Sequence, residues 1–199
     1  MNKFAYEQSV GYVKRGNAML RGSASESKFT LACEMYRQAS NYHGMLKPKK
    51  GDKIQQAEYK KASTSLDKLR SKLQTYARGV MDSKVAEVAE AAANIAETAK
   101  TETSLTSDGS YDMKTHKDIH RLLGGIVNDV KETIGYVNSV KSKLSSGTDS
   151  DKEFGEYATR RSEELKTLGK NLEEARKALE RTDHLVDDYW KKTLENRQN

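Results

Sequence analysis

The stretch that decides the fold is LKTLGKNLEEARKALERTDHLVDDY, residues 165–189. Along it, apolar or small side chains recur at alternating steps of three and four residues. Such steps place successive side chains on one face of an α-helix, and more than three heptads of them are typical of a coiled-coil-like seam. We therefore predict a long helix whose seam supports oligomerisation through Leu165, Leu168, Leu172, Leu179, Val186 and Tyr189.

The same periodicity predicts helices over most of the remaining chain. Apolar stripes indicate helices at about 3–21, 26–46, 53–99 and 119–144, and no strand-like alternation is long enough to build a sheet. The chain contains only one proline, a residue that breaks helices, which agrees with this prediction. The prediction is an all-α protein, with an N-terminal three-helix bundle that continues into an elongated antiparallel coiled-coil-like bundle. Whether the third helix is continuous through Gly79 stays open.

Turn signals separate these helices. Ser23 with Glu26 has capping-box spacing before helix two, and Ser150 with Glu153 repeats that spacing before helix five. Pro48, followed by Gly51, ends helix two. The segment TETSLTSDGSY, residues 101–111, has no periodicity and predicts an exposed, mobile loop. We expect two domains, a basic helical bundle over 1–80 and an elongated bundle over 81–199 with a flexible loop at 100–113.

Composition narrows the class of protein. Hydrophobic residues make up 35% and charged residues 32%, with a mean hydropathy of −0.88, a balance that suits thin helical layers with one buried stripe each. Cys33 is the only cysteine, and we expect it to be a small core residue rather than a nucleophile. No apolar run approaches the roughly 20 residues of a membrane span, and the first residues lack a secretory signal. The expected location is cytoplasmic.

Charge is unevenly distributed along the chain. Residues 1–79 hold 16 Lys/Arg and 6 Asp/Glu, a net charge of +10, whereas residues 80–199 hold 19 and 23, a net charge of −4. The basic half contains a predicted partner-binding face made of Lys47, Lys49, Lys50, Lys53, Lys60, Lys61, Lys68, Arg70 and Lys72. Acidic protein segments are the favoured partners. Nucleic acid is the alternative, because clustered cations attract phosphates and tyrosines can stack on bases, although Tyr36 and Tyr76 fit the core. An anionic membrane surface is the third possibility.

The sequence contains no informative pattern for catalysis or metal binding. Paired carboxylates, a Ser/His/Asp set and a phosphate loop are all missing from the sequence. Asp112, His116 and His120 could share a helical face, but we interpret them as polar residues near a helix start. Gly124 and Gly125 indicate close helix packing. We expect a non-enzymatic protein without a cofactor or a bound metal.

The N-terminal hairpin resembles a known family. Gly16-Asn17-Ala18 in the first helix, with Phe29, Ala32, Tyr36 and Ala39 in the second, resemble the small-and-aromatic pattern of a tetratricopeptide-type hairpin. With a third helix from Lys53 to about Arg78, residues 4–80 are similar to a microtubule-interacting-and-trafficking (MIT) domain. That resemblance implies a three-helix bundle that binds short helical or extended peptides in its grooves.

These observations predict a helical adaptor or assembly protein. Its basic N-terminal bundle would bind an acidic or amphipathic segment of a partner protein, and its C-terminal helices would oligomerise or dock into a larger assembly. Nucleic-acid binding by the basic face at 47–72 and binding of an anionic membrane remain the alternatives.

Overall fold

The computed structural model describes the backbone of residues 1–105, 113–145 and 149–198, and the side chains of 1–98, 117–145, 149–181 and Lys191. Its five helices are α1 (Lys3–Met19), α2 (Glu26–Gly44), α3 (Lys53–Leu105), α4 (Met113–Leu144) and α5 (Asp149–Gln198). The backbone described over these ranges contains no β-strand, which confirms the all-α prediction. None of the described helices is both long and apolar enough to cross a membrane.

The α1–α2 turn differs from its prediction in the residue that caps α2. Ser25, not Ser23, is the N-cap, and its hydroxyl accepts a hydrogen bond from the Lys28 amide. The Ser23 carbonyl instead accepts the hydroxyl of Tyr76 at 2.9 Å, and the Ser25 amide donates to the same hydroxyl oxygen. Tyr76 therefore ties the turn to α3 from a half-buried position rather than lying in the core.

The third helix is continuous through Gly79, which answers the question that the sequence left open. It is assigned as one helix of 53 residues, and one interior glycine costs about 1 kcal/mol, too little to break a helix that packs along its length. The helix extends to Leu105 and α4 begins at Met113, so the loop predicted at 100–113 is wrong over 100–105 and at 113. Thr, Ser and Glu lower helix stability by only fractions of a kcal/mol each relative to Ala, so a run of them does not by itself end a helix. Residues 106–112 of that loop lie outside the described chain.

Residues Met1–Ser83 and Ser139–Ala158 form the first compact unit. Its core contains Phe29 from α2, Leu69 and Leu73 from α3, and Leu144 and Phe154 from the α4–α5 region. The added segment belongs here because its apolar side chains are buried in this core. The predicted division into 1–80 and 81–199 stays a prediction, since independent folding of those segments is a separate property.

Residues Lys84–Asn138 and Thr159–Asn199 form the second unit. In it, the Lys84 ammonium lies 5.1 Å from the Tyr136 ring centroid, and a Cβ at Gly169 would lie 3.1 Å from Val130 Cγ1. These contacts join α3 to α4 and α4 to α5. The unit buries apolar residues of all three helices, among them Val88, Ile95, Leu123, Ile126, Leu165 and Leu172.

This packing bears on two sequence-based expectations. Leu165 and Leu172 of the predicted oligomerisation seam are buried inside the chain's own unit, whereas Leu168 and Leu179 are half-buried. The side chains of Val186 and Tyr189 lie outside the described set. The expectation of close packing at Gly124 and Gly125 finds no support among the described residues, because a Cβ at either position would meet none of their atoms within 4 Å.

Candidate partner-binding surface

The nine predicted partner-binding residues fall into three groups. The first is the basic turn, defined as Lys47, Lys49, Lys50 and Lys53, which lies between α2 and the first residue of α3. All four side chains are exposed. None of them takes part in an ion pair among the side chains that the structure describes.

The second group is the α3 lysine face, defined as Lys60, Lys61, Lys68 and Lys72. Helical periodicity places these four exposed lysines within an arc of about 120° and along about 18 Å of the helix. A groove between α1 and α3 includes two of them in its lining, which consists of Val13, Asn17, Thr64, Ser65, Asp67, Lys68, Ser71 and Lys72. The Lys72 ammonium crosses it and donates to Asn17 Oδ1 at 2.8 Å.

Arg70 is the third group, and the structure does not bring it together with the lysines. Its half-buried guanidinium turns toward α2, where Nη1 donates to the Tyr36 hydroxyl at 3.2 Å. Its Nε lies 2.9 Å from Oδ1 of Asp151, a carboxylate whose side chain is 1% exposed. Arg70 therefore belongs to a structural ion pair and not to a partner-binding face.

Asp151 is the centre of a buried polar network that sequence reasoning missed. Gln74 Nε2 donates both to Asp151 Oδ1 at 2.6 Å and to the Leu144 carbonyl at 3.0 Å. Ser150, predicted as the N-cap of α5, instead follows the first residue of the helix and donates its hydroxyl to Gln74 Oε1 at 3.2 Å. The network fastens the start of α5 to α3. No local signal could have found it, because Gln74 lies 70 and 77 residues before the partners to which it donates.

A second groove, of about 370 Å³, lies between α2 and the end of α4. It is lined by Thr30, Cys33, Glu34, Tyr36, Arg37, Ser40, Asn41, Lys143 and Leu144. On its wall, hydrogen bonds from Arg37 and Gln38 lower the pKa of Glu34 to about 2, so this exposed carboxylate stays ionised at neutral pH. Cys33 is half-buried rather than a core residue, and desolvation raises the pKa of its thiol to about 11, against a smaller opposing effect of Lys143.

We expect the Cys33 thiol to be alkylated slowly in the folded protein. With a pKa near 11 in place of 9.0, the thiolate population at mildly alkaline pH falls roughly 100-fold, and the thiolate is the reactive form. Maleimide or iodoacetamide labelling, followed by mass spectrometry in native buffer and in denaturant, measures the ratio of rates. Equal rates in the two conditions would show that the thiol is not desolvated.

No group of three or more His, Cys, Asp or Glu side chains in the described ranges could hold a metal ion. Asp112 and His116 lie outside those ranges, so the interpretation of Asp112, His116 and His120 stays a prediction. The candidate binding features of the described residues therefore include the basic turn, the α3 lysine face and two grooves. Comparison with protein-family models, with curated proteins and with solved structures finds no match to this chain, so the tetratricopeptide and MIT resemblance stays a prediction.

Proposed function

We propose that this chain is a non-enzymatic helical adaptor whose α3 lysine face binds an acidic segment of a partner protein. The observation that carries the proposal is a row of four exposed lysines on one helix, none of which pairs with a carboxylate among the described side chains. Unneutralised like charges on a rigid element attract a ligand of opposite charge and speed its association.

The surroundings of this face favour an acidic peptide over nucleic acid. The neighbouring groove is lined by hydroxyl side chains, among them Ser65 and Ser71. Their hydrogens donate to carbonyls of α3 at 2.8 and 3.1 Å, but each oxygen keeps a lone pair that can accept a backbone N–H of a peptide. Binding of single-stranded nucleic acid usually adds aromatic side chains on which bases stack. The tyrosines nearest in sequence do not offer such a surface, because Tyr59 packs against the core and Tyr76 ties down the α1–α2 turn.

The test measures binding of a labelled oligoglutamate peptide by fluorescence anisotropy. Replacing Lys60, Lys61, Lys68 and Lys72 by Gln should weaken binding about 30-fold, since four exposed pairs worth about 0.5 kcal/mol each sum to about 2 kcal/mol. The matched control replaces the basic turn, Lys47, Lys49, Lys50 and Lys53, by Gln and removes the same charge. We expect it to weaken peptide binding less than fivefold, that is, by under about 1 kcal/mol.

Two results would contradict the proposal. One is an equal loss in both quadruple variants, which would show that only net charge matters. The other is tighter binding of single-stranded RNA than of the peptide, abolished by the same α3 substitutions and falling steeply with salt, which would make nucleic acid the ligand.

The C-terminal helices are proposed to mediate self-association or docking into a larger assembly. Because Leu165 and Leu172 are buried within the chain, we assign any self-association to the part of the α5 seam that follows them. Sedimentation of the full chain across a wide concentration range tests this half, and a monomer throughout would remove it. A cytoplasmic location fits both halves of the proposal.

A further inference from the structure

One end of the N-terminal bundle collects the start of α1, the end of α2 and the start of α3. The Met1 nitrogen and the Lys49 amide both donate to Oε1 of Gln55, at 2.6 and 3.2 Å. On the other side, the Phe4 ring meets Tyr42 of α2 edge-on, with 6.1 Å between centroids. Three chain segments therefore converge on a surface that we call the bundle tip.

The bundle tip exposes large apolar side chains from each of these segments. Phe4 is 60% exposed, Met45 56% and Ile54 75%. They are three of the six large apolar side chains that are exposed in the described part of the chain. A single exposed apolar residue is ordinary, whereas several at one place mark a contact surface.

Lysines surround these apolar side chains. Lys3 and the four members of the basic turn are exposed at the same end. The nearest carboxylate in the sequence, Asp52, accepts the Gln55 amide at 3.0 Å as part of the α3 N-terminus. None of the five lysines pairs with a carboxylate among the side chains the structure describes. The bundle tip thus combines apolar side chains with a strong positive charge.

We propose that the bundle tip binds the surface of an anionic lipid bilayer. The lysines would contact acidic headgroups, while Phe4, Met45 and Ile54 would enter the boundary between headgroups and acyl chains. The apolar composition favours a bilayer over the other polyanions. Phe4 supplies one aromatic ring, whereas Met45 and Ile54 have none and project from different segments. The exposed apolar side chains of the bundle tip therefore do not form the series of rings on which successive bases stack.

This inference is separate from the proposed function, because it uses different lysines. Sedimentation with vesicles of phosphatidylcholine and phosphatidylserine, compared with phosphatidylcholine alone, measures the lipid partition coefficient. Replacing Lys47, Lys49, Lys50 and Lys53 by Gln should lower that coefficient at least about 100-fold, because each lysine near an anionic surface contributes about a factor of five. The quadruple Gln variant of the α3 lysine face is the charge-matched control and should lose less than tenfold.

A second pair of variants tests insertion of the apolar side chains. Phe4→Ser with Ile54→Ser should weaken vesicle binding about tenfold even at high salt, whereas Leu31→Ser, at an exposed position of α2, should change it less than twofold. Circular dichroism of each variant verifies that the helices are retained. The proposal is overturned if both quadruple variants lose binding equally, if neutral vesicles bind as tightly as anionic ones, or if the Phe4/Ile54 variant binds like the wild type.

Discussion

Asp151→Ala should lower the free energy of unfolding by about 3 kcal/mol, the largest effect expected of a single polar substitution in this chain. Removing one partner of a buried ion pair leaves the other charge uncompensated, at a cost of about 3–5 kcal/mol. The Arg70 side chain keeps 21% exposure, so water relieves part of that cost and the lower value applies. Gln74 would also lose its acceptor at Asp151 Oδ1. Chemical denaturation followed by circular dichroism measures the change.

Asp149→Ala is the matched control, because Asp149 shares the first turn of α5 and its favourable helix dipole. Its side chain is 99% exposed in an ion pair with Lys152, and we expect a change within about 0.5 kcal/mol. The double variant Arg70→Met with Asp151→Leu should recover much of the loss, since apolar side chains of similar volume replace a buried pair at little cost. Equal stability of Asp151→Ala and Asp149→Ala would contradict the structural role assigned to the network.

Gly16→Val should lower the free energy of unfolding by about 3 kcal/mol through overpacking. A Cβ at Gly16 would lie 2.9 and 3.2 Å from the two terminal carbons of Leu69, and 3.4 Å from Met35 Cβ. Leu69 is itself fully buried, so its side chain can give way only by displacing its own neighbours in the close-packed core. The three N-terminal helices therefore meet where α1 carries no side chain. Thermal and chemical denaturation both report the loss.

Gly11→Ala, on the same helix, should act in the opposite direction. A Cβ at Gly11 meets nothing within 4 Å, so the substitution keeps the gain in helix propensity, about 1 kcal/mol. If both glycine variants destabilise the protein by similar amounts, the distinction between a packed and an open glycine is wrong.

Periodicity predicted the elements of the fold because burial decides them one helix at a time. Leu66, Leu69 and Leu73 are spaced three and four apart within the stripe that predicted a helix at 53–99, and all three are buried. The turn between α2 and α3 could likewise be predicted from residues within the turn itself. Gly51 lies in the α2–α3 connection, where the sequence predicted a turn, and its φ of 91° is one that glycine adopts readily. In the resemblance to a tetratricopeptide hairpin, Gly16 likewise stands at a position of close helix approach.

The properties that the sequence did not reveal depend on which residues meet across long separations. Arg70 was predicted to belong to the basic partner-binding face, because nothing near it in the sequence indicates that Asp151 Oδ1 lies 2.9 Å from its Nε. Gly124 and Gly125 suggested tight packing, because the sequence could not show that no described residue lies within 4 Å of a Cβ at either position. The bundle tip was likewise hidden, because Phe4, Met45 and Ile54 come from three segments.

The division of the first unit into two separate stretches of chain has a consequence during protein synthesis. Its early stretch ends at Ser83, but its core is complete only when Ala158 has been added, 75 residues later. At about 5–20 residues per second this interval lasts roughly 4–15 s. Until then the nascent chain carries Leu73 and Gln74 without the leucine carbonyl and aspartate that later satisfy the glutamine. The N-terminal helices of the nascent chain therefore expose part of an incomplete core, to which a chaperone near the ribosome exit can bind.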